Sequence, residues 1–124
     1  MLVKKFDIPK ASSKNPHKEI VKVYDVQSGM VLVVPYIALY SENEVTKAKV
    51  LQDGSPIFVF ETVWGNPNIQ PIRIIAETNV SIEVVNETPK EDRIWVQLIG
   101  VEISRENLEP FLNRLKTVGI MWIC

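Results

Sequence analysis

From Ile20 onward the chain sets short apolar runs between turn signals that recur about every 8–12 residues, the rhythm of an all-β domain. Ile20 to Val26 reads as a strand and Gln27-Ser28-Gly29 as a turn. Met30 to Tyr40 is a long apolar run interrupted by Pro35. Proline cannot donate to a ladder, so Pro35 predicts an edge position, a bulge, or a bend where the strand passes to a second sheet. The next stretch supports two readings. Ser41-Glu42-Asn43-Glu44 has capping-box spacing, with Val45, Ala48 and Leu51 as a short helical stripe. Asp53-Gly54 is a strong hairpin signal that would set Val50 opposite Ile57 and Ala48 opposite Val59, and the hairpin is favoured.

Residues 56–64 are apolar on both faces and end in the loop Gly65-Asn66-Pro67-Asn68, which predicts a central strand. Ile69 to Glu77 and Val80 to Asn86 predict a second hairpin across Thr78-Asn79, with asparagine in the left-handed conformation. After the polar turn Thr88 to Asp92, residues 93–103 are again apolar on both faces, and Gly100 marks a bulge or a close backbone approach. Ser104 is placed to cap a helix over about residues 105–117 whose Leu108, Phe111, Leu112 and Leu115 form one apolar stripe. Pro110 is tolerable there because it falls in or near the first turn, and Gly119 is the stop. Ile120-Met121-Trp122-Ile123-Cys124 is too apolar to be left in water, so a last strand or an interface element is expected. The sum is a mainly β fold: a single-domain β-barrel or β-sandwich of about seven or eight mostly antiparallel strands, one C-terminal α-helix and a short terminal strand. Residues 1–19 read as a basic N-terminal arm, irregular over 7–19, and 20–124 as one β-rich domain.

Composition strengthens the strand reading. There are 17 Val and 14 Ile against 8 Leu and 4 Ala, and β-branched side chains suit a pleated surface. The formal charge of −1 hides an asymmetry. Lys4, Lys5, Lys10, Lys14, Lys18 and Lys22 against Asp7 and Glu19 leave the first 22 residues at +4 and the remainder at −5. No stretch approaches the roughly 18 apolar residues of a membrane span, and the first residues lack the apolar core of a secretory signal. A soluble cytoplasmic protein without a membrane partner is therefore expected, and the glycosylation patterns at Asn79 and Asn86 read as chance matches.

Candidate chemistry is sparse. One histidine and one cysteine exclude a multi-histidine metal centre, a thiolate-rich cluster and an internal disulfide framework. His17 stands alone between Pro16 and Lys18 and reads as an exposed arm residue. Cys124 has no neighbour in sequence that would lower its pKa. Glu42 with Glu44 and Glu91 with Asp92 are acidic pairs without diagnostic spacing, the second read as a solvated turn. Five scattered glycines form no phosphate-binding loop, so no cofactor is expected. Phe58, Phe60 and Trp64 share one strand face, where core packing outweighs base stacking, and only Trp64 is a plausible exposed contact.

By elimination the leading expectation is a non-catalytic binding or assembly module that meets a protein partner or its own copy through a sheet face, the arm or the terminal strand. Leu2, Phe6, Ile120 and Trp122 are its expected oligomer contacts. The alternative is a small nucleic-acid-binding barrel that uses Lys10, Lys14, Lys18, Lys22 and Trp64. A second alternative is a small enzyme whose site only the fold would assemble.

Overall fold

The β-branched runs form eight strands among the described residues, and these stack as two antiparallel sheets of four. The computed structural model describes residues 2–8, 16–43, 46–61, 63, 65 and 68–118, with the main chain alone for 2–8 and 68. Sheet I runs from edge to edge as β1 (Leu2–Ile8), β8 (Asp92–Ser104), β3 (Met30–Ser41) and β6 (Asn68–Ala76). Sheet II runs as β2 (His17–Asp25), β7 (Asn79–Asn86), β4 (Thr46–Gln52) and β5 (Ser55–Phe60). Of the two expected architectures the molecule is the sandwich.

Inward positions of both sheets meet in one core. Leu32, Val34, Ile37 and Leu39 of β3, Ile72 and Ile74 of β6, and Ile94, Val96 and Leu98 of β8 face Ala48 and Val50 of β4 and Val80, Ile82 and Val84 of β7. Stiff β-branched side chains standing off a pleated surface fill such a layer without straining χ1.

Pro35 lies in a central strand, not at an edge. The ladder absorbs it as a bulge, because register skips between Val34 and Tyr36 against β6 and between Val33 and Tyr36 against β8. Gly100 lies beside that bulge, where an added Cβ would come 2.2 Å from the Val33 carbonyl oxygen. The close approach expected at this glycine is present.

The hairpin at Asp53-Gly54 is also present, with φ of 51° and 86° at the two turn residues. Residues 46–52 are strand, which removes the short-helix reading. Its register differs by one residue from the expected one: Val50 faces Phe58 and Ala48 faces Phe60, because an irregularity between Val50 and Leu51 inserts Ile57. The stretch read as a central strand is instead the edge strand β5, which ends at Phe60. Pro56 is tolerated there because an edge residue needs no second ladder bond.

The second expected hairpin does not exist. β6 belongs to sheet I and β7 to sheet II, so Glu77 and Thr78 carry the chain across the sandwich. Asn79 is not left-handed, Asp53 being the one non-glycine residue with positive φ among those described. A link this short looks like a hairpin in sequence, but its polar groups are satisfied from elsewhere. The Asp53 carboxylate accepts the N–H groups of Glu77 at 3.0 Å, Thr78 at 2.7 Å and Asn79 at 3.1 Å.

Part of the expected arm is regular structure: β1 pairs along β8 and β2 begins at His17. Residues 9–15 lie outside the described residues. At the other end a 3-10 turn, Arg105–Asn107, leads into α1 (Leu108–Thr117). Ser104 makes no side-chain cap to the backbone; its Oγ accepts the Asn107 amide at 2.7 Å. None of the helix residues is fully buried, so its apolar stripe is only half covered. Gly119 and the expected terminal strand 120–124 lie outside the described residues.

Candidate binding face

A sandwich has two outer faces, and here they differ in chemistry. On sheet II the outward positions include Lys18, Ile20 and Lys22 of β2, Glu83 and Val85 of β7, and Lys47 and Lys49 of β4. Glu83 lies 3.8 Å from both Lys18 and Lys49, Lys47 lies 3.5 Å from Glu87, and Lys22 lies 3.2 Å from Asp25. Exposed pairs of this kind are worth about 0–1 kcal/mol each, so they describe a solvated surface and little stabilisation.

On sheet I the outward positions of the two central strands are mostly apolar and aromatic. Cross-strand register places Tyr40 beside Trp95, Ala38 beside Gln97, Tyr36 beside Ile99, Val33 beside Val101 and Val31 beside Ile103. The edge strand β6 continues three of these rows, with Ile69 beside Ala38, Pro71 beside Tyr36 and Ile75 beside Val33. Val31 and Val33 are fully buried, which closes the β3 side of that end, while Val101 beside Val33 is 44% exposed. The other end is open: Tyr36, Tyr40, Trp95 and Ile99 are half-buried, and Ile69 is 60% exposed.

Tyr40 and Trp95 form a stacked pair on this face. Their rings are parallel within 3° at a centroid distance of 4.9 Å. That distance is the spacing of neighbouring strands, so directly paired residues on one face stand with their rings side by side. Such a pair contributes about 0.5–1.5 kcal/mol beyond area burial and presents two aromatic edges to the outside. Arg73 and Gln97 supply polar ends on the same face, and each is engaged within the protein.

Asp92 anchors the end of the face next to this pair. It is buried, which corrects the reading of Glu91-Asp92 as a solvated turn. Ser41 Oγ and Thr46 Oγ1 donate to its Oδ2 at 2.6 and 2.7 Å, and the N–H groups of Asn43 and Arg93 donate to Oδ1 at 3.0 and 2.8 Å. Burial alone would push its carboxyl upward in pKa; these four donors outweigh it and hold it below the usual aspartate value. The carboxylate thus ties the end of β3 in sheet I to the start of β4 in sheet II; its donor Ser41 adjoins Tyr40, and Asp92 itself lies three residues before Trp95.

The residues singled out in sequence are dispersed by comparison. Lys18 and Lys22 are both engaged with acidic neighbours, while Lys10, Lys14 and Trp64 lie outside the described residues, as do Ile120, Trp122 and Cys124. The main chain at Leu2 and Phe6 is in register with Leu98 and Ile94, which places both positions on the β1 edge of sheet I. His17 is partly exposed on β2, its Nε2 3.3 Å from Glu19 Oε1. Phe58 and Phe60 pack against the core at 4.9 Å from each other, as the core reading expected. Asn86 is fully buried and its amide donates to the Lys90 carbonyl at 2.7 Å, so a glycan has no access to it. Among the described residues no group of three His, Cys, Asp or Glu side chains could hold a metal, and no helix is long and apolar enough to cross a membrane.

Tyr36, Tyr40, Trp95, Ile99 and Ile69 were missed in sequence. The signal was present. Two strands apolar on both faces in a two-layer fold must leave one apolar face outside, and only the pairing of β3 with β8 shows which residues share it.

No protein-family model matches the chain, and no curated protein matches it. Among solved structures it is similar to one described as "CBM4 structure and function", at 11% identity and a TM-score of 0.44, covering 83% of this chain and 84% of that one. It is similar at 10% identity, with a TM-score of 0.44, to the N-terminal cellulose-binding domain from Cellulomonas fimi beta-1,4-glucanase C, covering 85% of this chain and 80% of that one. A carbohydrate-binding module, CBM36, in complex with calcium and xylotriose overlaps at 13% identity and a TM-score of 0.33, covering 80% of this chain and 89% of that one.

Proposed function

We propose that the chain is a non-catalytic binding module and that the outer face of sheet I holds its partner. The observation that carries this reading is the contrast between the two outer faces. Sheet II has exposed Ile20 and Val59, but the Glu83–Lys49 pair stands between them, whereas sheet I sets Tyr36, Tyr40, Trp95, Ile99 and Ile69 together, with Arg73 and Gln97 beside them. Aromatic residues and arginine around branched apolar side chains are the composition of a protein interface core. The partner is accordingly the surface of another protein or a second copy of this chain. Light scattering over a concentration series tests the second case. A mass above the 14.1 kDa monomer that returns to the monomer in the Tyr40→Ala/Trp95→Ala variant supports it. A monomer mass at every concentration removes the second copy and leaves the other protein.

One observation favours a second reading. The parallel Tyr40–Trp95 pair sets a ridge of aromatic edges beside the amide of Gln97 and the guanidinium of Arg73, which gives a sugar ring apolar C–H contact with polar groups next to it. This reading stands on that pair alone, since likeness at a TM-score of 0.44 does not carry a ligand across. Electrophoresis through gels containing soluble glucan or xylan tests it. Retardation that disappears in Trp95→Ala supports sugar binding, and unchanged mobility in every polysaccharide removes it.

A further inference from the structure

β8 is longer than the strand beside it. β1 pairs with β8 from Asp92 to Leu98; beyond that point, Ile99 to Ser104 has β3 on one side and, among the described residues, no strand on the other. Alongside this free stretch lies a cavity of about 250 Å³ lined by Tyr24, Leu32, Val34, Leu98, Gly100, Val101 and Glu102. Leu32, Val34 and Leu98 belong to the core and make the floor apolar. Gly100 leaves the space empty because the β3 bulge permits no side chain there. The mouth is held in shape from β2 and the turn after it, where the Tyr24 hydroxyl and the Gln27 N–H both donate to the Glu102 carboxylate.

An exposed strand edge is a template for pairing, and proteins usually blunt it with proline or lysine. Three other edge strands here are blunted in that way, by Pro56 on β5, Pro71 on β6, and Lys18 and Lys22 on β2. The stretch Ile99–Ser104 has neither.

We propose that this stretch accepts an extended peptide segment of a partner as an added strand, antiparallel to β8 and in line with β1. The existing register fixes the side chains. Leu2 stands opposite Leu98, whose side chain faces inward, so the inward places that follow are those opposite Gly100 and Glu102. An apolar side chain opposite Gly100 fills the cavity. A basic side chain opposite Glu102 meets a carboxylate that has no Lys or Arg against it among the described residues. The ligand class is thus an extended peptide with a basic residue two places before an apolar one, held by main-chain hydrogen bonds and selected by those two side chains.

The probe is the acetylated peptide Thr-Val-Thr-Lys-Thr-Leu with a fluorescent label, titrated into the full chain with anisotropy and amide chemical shifts as readouts. The expected result is saturable binding with shifts centred on Ile99–Ile103 and Tyr24. Leu→Ala in the peptide should weaken binding about tenfold. N-methylation of alternate peptide amides should abolish it. Glu102→Gln should erase the preference for Lys over Gln in the peptide, and if that variant does not fold, the peptide substitutions decide alone. Equal affinity of the Leu and Ala peptides, absence of binding at millimolar peptide, or shifts centred elsewhere would overturn the proposal. Unchanged peptide binding by Tyr40→Ala/Trp95→Ala separates this edge from the face of sheet I.

Discussion

Four donors converge on Asp92, and the consequence of losing them follows from its burial. Asp92→Ala leaves the hydroxyls of Ser41 and Thr46 without their acceptor in a dry setting, which should cost about 3 kcal/mol in urea denaturation. The same carboxylate gives a pH dependence. Its folded-state pKa lies below the ordinary value of 3.8, so its stabilisation is complete above the unfolded value and disappears as pH falls through the lowered folded one. Denaturation midpoints should fall below about pH 4, and less steeply in Asp92→Asn. Gly100 is the opposite kind of residue, legible in sequence. Replacement by Ala drives a Cβ to 2.2 Å from a main-chain oxygen, so the variant should lose at least about 2 kcal/mol or force the β3 bulge to move. Asp92 was misread as solvated because Ser41, Asn43 and Thr46 reach it from strands distant in sequence, whereas Gly100 announces itself by lacking a side chain in an apolar run.

Two turns of different hairpin character are joined by one side chain. Asp53 forms the β4–β5 turn with its own backbone and completes the β6–β7 crossing with its carboxylate. Asp53→Ala should therefore speed amide exchange at Glu77, Thr78 and Asn79 on the far turn, while Gly54→Ala should cost only about 1 kcal/mol and act on its own hairpin. The helix behaves as a peripheral element. Its Leu112 is half-buried, so Leu112→Ala should cost about 1 kcal/mol, against about 3–4 kcal/mol for Ile82→Ala in the core, when both are compared by thermal unfolding. Element types were legible because β-branched alternation and the Leu108, Phe111, Leu112, Leu115 stripe are local patterns. Hairpin against crossing at residues 77–78 was not, since a two-residue link between two half-apolar strands satisfies either topology and the deciding hydrogen bonds come from Asp53.

Apart from β4 to β5, every connection between consecutive strands passes from one sheet to the other, so no sheet forms without long-range pairing. Unfolding should be a single cooperative step with coincident tryptophan fluorescence and far-ultraviolet dichroism, and folding should fall in the millisecond-to-second range of β-sandwiches. Separated transitions by the two probes would show that the sheets unfold independently. At this scale the sequence by itself determined the mainly β class and the late helix. Each of these is written in side-chain branching, short-range periodicity or simple residue counts. Only the tertiary structure decided sandwich over barrel, the central place of β3 and β8, the gathering of Tyr36, Tyr40, Trp95 and Ile99 on one outer face, and the edge beside Gly100 that no strand among the described residues covers. The physical reason is that a strand carries the same alternation whichever neighbours it pairs with; the choice of neighbour, and so of the surface two strands make together, is set by long-range register and by buried polar groups that find partners far along the chain.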